Sequence, residues 1–115
     1  MTKHFHAIRH AWHGIVWGLQ TQLNYRVHIF FSLIAVFAGY LFGISYGEWL
    51  TILVMIFLGF ALETLNTAIE QLGDAIDINH NDHIKLAKDS GAGAMLIFSC
   101  GAVIVAAIIF LPKIL

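Results

Sequence analysis

Apolar residues fall along this chain in one amphipathic stretch followed by three long runs. In residues 1–20, Phe5, Ile8, Trp12, Ile15 and Leu19 recur at steps of three and four. They therefore share one face of a helix. Lys3, His6, Arg9, His10 and His13 fall largely elsewhere on the wheel. A basic helix with a tryptophan on its apolar side predicts a segment lying flat at a membrane interface. Residues 27–46, "VHIFFSLIAVFAGYLFGISY", predict a first span, with His28 as the one potentially charged group at its edge. At a rise of ~1.5 Å, such a run crosses a hydrocarbon core of about 30 Å. Gly39 and Gly43 form a GxxxG pair that permits close helix approach. "SYGE" (45–48) predicts a turn, with Tyr46 and Trp49 suited to an aromatic belt. The next run, "WLTILVMIFLGFAL", has fourteen residues and is too short to cross unless its helix continues through Glu63 to Leu72. Residues 90–111 predict the last span, ended by Pro112.

Composition supports a membrane protein. Hydrophobic residues make up 59% of the 115 and charged ones 11%, against about 25% charged in soluble domains. Mean hydropathy is +0.80. The expectation is a single all-α integral membrane domain over 1–115, with a surface helix (1–20) and spans at 27–46, 49–72 and 90–111. A net charge of −1 offers no basic surplus for nucleic acid. Cys100, alone in an apolar run, reads as a packing residue. The N-terminus lacks the short apolar core and cleavage site of a signal peptide. Lys3, Arg9, Arg26, Lys85 and Lys88 fall on one side of three spans and Lys113 alone on the other. That asymmetry predicts a cytoplasmic N-terminus.

The polar residues of the second span raise the question of chemistry. At about 100° per residue, Glu63, Asn66, Glu70, Asp74 and Asp77 fall within a sector about 80° wide, with Thr67 on its border. A solvated face accounts for Asp74 and Asp77. It accounts poorly for Glu63, which has apolar neighbours, because acids near lipid usually face a protein interior or a wet cavity. Farther on, "HNDHIKLAKDSGAGA" (80–94) puts Lys85 and Lys88 at i and i+3 on a helix entering the last span, with Asp89 next. Gly91, Ala92, Gly93 and Ala94 leave that helix thin. Carboxylates for Mg²⁺, a lysine for phosphate and a membrane-edge location suggest phosphoryl transfer to a lipid. No GxxxxGK[ST] loop is present. The residues alone leave three classes open: membrane phosphotransfer, a proton- or cation-coupled transporter built on Glu63, and a structural or assembly protein. The histidines add little. His4, His6, His10 and His13 do not converge at helical spacing, and two ligands do not make a structural zinc site. His80 and His83 read as a solvated loop. Arg26 and His28 begin the first span on the cytoplasmic side; snorkelling to headgroups is the default for the Arg, with a role at the lipid head or ATP as the alternative.

The string Glu63-Thr-Leu-Asn66-Thr67-Ala-Ile-Glu70, followed eighteen residues later by Lys88-Asp89, resembles the signature of the prokaryotic diacylglycerol kinase family. "NYRVH" (24–28), Glu48-Trp49 and "IFLPK" (109–113) resemble segments of its Gram-positive, undecaprenol kinase branch. The resemblance runs through nearly the whole chain. It implies a surface helix, three membrane helices and a homotrimer with sites shared between subunits. It implies MgATP as phosphoryl donor and a lipid alcohol in the bacterial cytoplasmic membrane as acceptor, undecaprenol before diacylglycerol. By the resemblance, Glu63 is the general base, with Asn66 orienting substrate or base. Glu70 holds Mg²⁺, Lys88 meets ATP phosphates, Asp89 supports the site and Asp74 shapes the nucleotide side; the Arg26 candidate for substrate binding rests on its place at the start of the first span alone. The chain departs from the family at Gln22, where a second metal-binding glutamate is usual. Gln22 then ligates through its neutral carbonyl, or Asp74 substitutes, or the kinase is weakened.

Overall fold

The computed structural model describes residues 2–115, and all the secondary structure among them is helical: α1 (Thr2–Thr21), α2 (Leu23–Phe42), α3 (Tyr46–Ile76) and α4 (Asp82–Ile114). Three of these, α2, α3 and α4, are long and apolar enough to cross a membrane. α3 and α4 have 31 and 33 residues. At ~1.5 Å per residue both outreach a hydrocarbon core of about 30 Å, so their polar ends project beyond it. The chain is a multi-pass membrane protein. Phe30, Phe37, Phe57, Ile97 and Ile108 are exposed on its flanks, as lipid or a neighbouring apolar surface requires.

The helix boundaries follow from capping. α2 ends four residues before the expected limit of the first span, because Gly43 takes a left-handed conformation (φ 60°) and its N–H bonds back to Gly39 and Tyr40 carbonyls. Gly43 is thus a cap with open space around it. Of the GxxxG pair, Gly39 alone is packed, against Trp49 and Ile44. α3 opens with a capping box: Ser45 Oγ accepts from the Glu48 N–H and Glu48 Oε1 accepts from the Ser45 N–H. α4 begins at Asp82, where the Asn81 side chain accepts from the N–H groups of His83 and Ile84. It runs past Pro112 to Ile114. A proline so near the end forfeits only its own backbone bond.

Two clusters hold the helices together. At one end, buried Ile44, Ile52 and Ile109 pack with Trp49, Phe42 and Phe110. There Lys113 Nζ lies 2.9 Å from Glu48 Oε2 and joins the end of α4 to the start of α3. At the other end Tyr25 is 2% exposed. Its ring covers Gly18 of α1 and its hydroxyl bonds to Thr64 Oγ1 of α3. Thr64 donates to the Phe60 carbonyl, so Tyr25 is the donor. This seats the amphipathic α1 at the end of the bundle that carries Glu63. Cys100, expected as a packing residue, is exposed instead. It lies about half a turn from Gly91 and Ile109, the two buried residues of α4.

Candidate active site

Glu63 is only 3% exposed, and Asn66 and Thr67 on the next turn are buried too. An ionisable side chain is costly there unless the fold supplies partners. α2 supplies them. His28 Nε2 lies 3.8 Å from Glu63 Oε2, and the Asn24 amide stands beside the same carboxylate. Asn24 and His28 are four apart and share one face of α2. Asn24 carries no site reading in the sequence, and His28 only that of a polar residue at the cytoplasmic start of the first span, with a role at the lipid head or ATP left open. The available signal was a pair of polar residues at i and i+4 where an apolar helix begins. Without the register between α2 and α3 it could not be tied to Glu63.

Asn66 fills the seam between α3 and α4. Its Oδ1 is buried against Gly91 and has no hydrogen-bond partner among the described residues. An orphaned buried acceptor costs about 1–3 kcal/mol, tolerable where the group has a task beyond packing. The thin stretch at the start of the last span therefore works at one position. Gly91 makes room for Asn66, while Gly93 faces open space.

Farther out, Lys88 Nζ lies 2.5 Å from Asp74 Oδ1, joining α4 to α3. Lys85 Nζ lies 2.6 Å from Asp89 Oδ2, one turn on along α4. Both pairs are accessible, as groups that receive a soluble nucleotide must be. Glu70 is half-buried between the two levels. The acidic stripe is shorter than the wheel suggests. α3 ends at Ile76, and Asp77 is an extended capping residue whose side chain accepts from the Asn79 N–H. Asp77 therefore leaves the stripe.

Two expected residues sit at the α1–α2 junction. Gln22, extended between the helices, donates to Thr21 Oγ1 at 3.3 Å. Arg26 donates to the Gln20 carbonyl at 3.1 Å, a favourable place for a cation at the C-terminal end of α1. Neither is hydrogen-bonded to the Glu63–Asn66 pair. Among the described residues no three His, Cys, Asp or Glu side chains converge on a metal position.

A multi-pass helical protein with a buried carboxylate inside its membrane part and cation–carboxylate pairs just outside has the layout of an enzyme acting at the membrane edge. Residues 9–110 match the model of the prokaryotic diacylglycerol kinase family, and the chain belongs to that family. It is 36% identical over 113 residues to an undecaprenol kinase of Bacillus subtilis, covering 98% of this chain and 92% of the relative. It is 33% identical over 110 residues to a diacylglycerol kinase of Synechocystis, covering 95% of this chain and 63% of the relative. The protein is a lipid kinase, which implies use of ATP. The transporter and assembly readings lose their support.

Proposed function

We propose that this enzyme transfers the γ-phosphoryl group of ATP to the hydroxyl of undecaprenol at the cytoplasmic face of a bacterial inner membrane. The observation that carries the reading is the buried Glu63 carboxylate. It is a base held where a lipid hydroxyl can reach it and bulk water cannot. Glu63 accepts the hydroxyl proton as the new oxygen–phosphorus bond forms and the bond to the departing ADP oxygen breaks. Asn66 orients the reacting group. Lys88 meets phosphate once it exchanges its carboxylate partner Asp74 for the nucleotide. Asp74 then borders the nucleotide, and Asp89 keeps Lys85 directed along α4. Mg²⁺, bound with ATP, offsets the repulsion between phosphates and carboxylates; Glu70 would hold it, with Gln22 or Asp74. Arg26, half a turn from Asn24 and His28, belongs to the headgroup zone near the substrate.

Undecaprenol is preferred because the relative of that name aligns with most of its own length. Diacylglycerol is the second acceptor, by the cyanobacterial relative. The N-terminus is assigned to the cytoplasm, because five Lys and Arg fall at that level and Lys113 alone at the other. The working form is taken to be a homotrimer.

The test is purified protein in detergent with MgATP and a panel of lipid alcohols. Product with undecaprenol well above diacylglycerol is expected, and Glu63→Gln is expected to lose turnover while still binding nucleotide. No product with any alcohol across a broad Mg²⁺ range overturns the kinase assignment. Retained turnover in Glu63→Gln removes Glu63 as base.

A further inference from the structure

His28 is held more firmly than a headgroup anchor needs to be. Its ring lies between Phe60 of α3 and Phe98 of α4, with centroids 5.8 and 6.0 Å away. Its Nδ1 edge rests over Gly59, where a Cβ would come within 3.3 Å. These contacts leave Nε2 directed at Glu63. The 3.8 Å separation from Oε2 is too long for a hydrogen bond, and no described residue bonds to the ring. An oxygen atom set to one side of that pair can lie about 2.8 Å from both, ordinary hydrogen-bond distances. His28 also borders a cavity of about 130 Å³ between the three spans, lined chiefly by apolar residues such as Phe31, Ile52 and Phe98. One imidazole therefore faces the base on one side and apolar space on the other.

We propose that His28 is a catalytic residue that touches the acceptor: its Nε2–H donates to the lipid hydroxyl oxygen while Glu63 accepts the hydroxyl proton. Held by both, the oxygen keeps a lone pair for phosphorus and its first carbons point to the cavity mouth. This fixes the nucleophile in one orientation, a gain realised mainly at the transition state. The inference rests on the lipid-kinase reading and adds to it a residue for acceptor orientation, separate from those assigned to the nucleotide.

His28→Phe keeps the aromatic contacts and removes the donor; His28→Gln restores an N–H at similar reach. In lipid phosphorylation assays His28→Phe is expected to lose about 10- to 100-fold in kcat/KM for the alcohol, as for a hydrogen bond to a charge-developing group. Its KM for MgATP should stay within about twofold of wild type, and His28→Gln should recover most of the loss. A His28→Phe enzyme equal to wild type overturns the proposal. So does a His28→Gln enzyme as impaired as His28→Phe, or a loss that falls equally on MgATP. If His28→Phe does not give monodisperse protein, His28→Met tests the same donor. A wild-type enzyme inactive on every alcohol overturns the kinase reading and this inference with it. An active wild type with an unaffected His28→Phe overturns this inference alone.

Discussion

Gln22 separates α1 from α2 with extended backbone angles (φ −104°, ψ 117°), and its side chain reaches no farther than Thr21. As a neutral amide it can offer Mg²⁺ a carbonyl dipole but no charge, and a hard cation favours charged oxygen. If Gln22 shares in the proposed Mg²⁺ site, it should therefore hold the ion more weakly than a glutamate at the same position would. Gln22→Glu is expected to lower the Mg²⁺ concentration for half-maximal activity by up to about tenfold, the change given by ~1.4 kcal/mol of added binding. Turnover measured across a Mg²⁺ titration checks this. An unchanged or higher requirement would take residue 22 out of the proposed metal site.

At the scale of elements, the seam between α3 and α4 depends on a missing side chain. A Cβ at Gly91 would collide with Asn66 Oδ1 and also lie 3.4 Å from its Cγ and 3.5 Å from Ile69 Cδ1. Gly91→Ala should push Asn66 out of register with Glu63 and destabilise the seam by about 1–3 kcal/mol, the usual range for overpacking. Gly93→Ala meets nothing within 4 Å and should be neutral or stabilising by about 0.4–1 kcal/mol. Denaturant titration in detergent alongside turnover separates the two; equal behaviour would mean that the seam relaxes freely around Asn66. The stretch "GAGA" displayed its thinness in the sequence but not which glycine would be used. The acidic stripe was legible because one helical period governs Glu63 to Asp74. Its end was not, because Asp77 lies beyond the last helical residue. Gly43 read as half of a packing pair because spacing says nothing of φ. The tie of Asn24 and His28 to Glu63 depends on how α2 is placed against α3, which periodicity within one helix does not contain.

The whole molecule raises a problem of distance. Glu63 and Asp74 are eleven residues apart on α3, about 16 Å along its axis. Lys88 is held at the outer level, on Asp74, with its Cε close over Gly73. Lys88 in this position points its ammonium to the outer level, away from Glu63, so a γ-phosphoryl group in line with a hydroxyl at Glu63 meets a lysine only if Lys88 leaves Asp74 or if a neighbouring subunit supplies one. A second subunit removes the difficulty if its Lys88 approaches the first subunit's Glu63. The exposed apolar flanks of α2, α3 and α4 leave room for such neighbours, and in a closed symmetric ring every interface would carry the same composite site. Glu63→Gln and Lys88→Met should each be inactive alone. Co-expressed in equal amounts, they should regain about a quarter of wild-type activity, the chance that an interface pairs an intact Glu63 with an intact Lys88. If each site lay within one chain, no subunit in the mixture would be intact, and activity would stay at the level of the parents. The mixed-subunit assay thus tests whether the Glu63 and the Lys88 proposed to act on one phosphoryl group come from the same chain or from two.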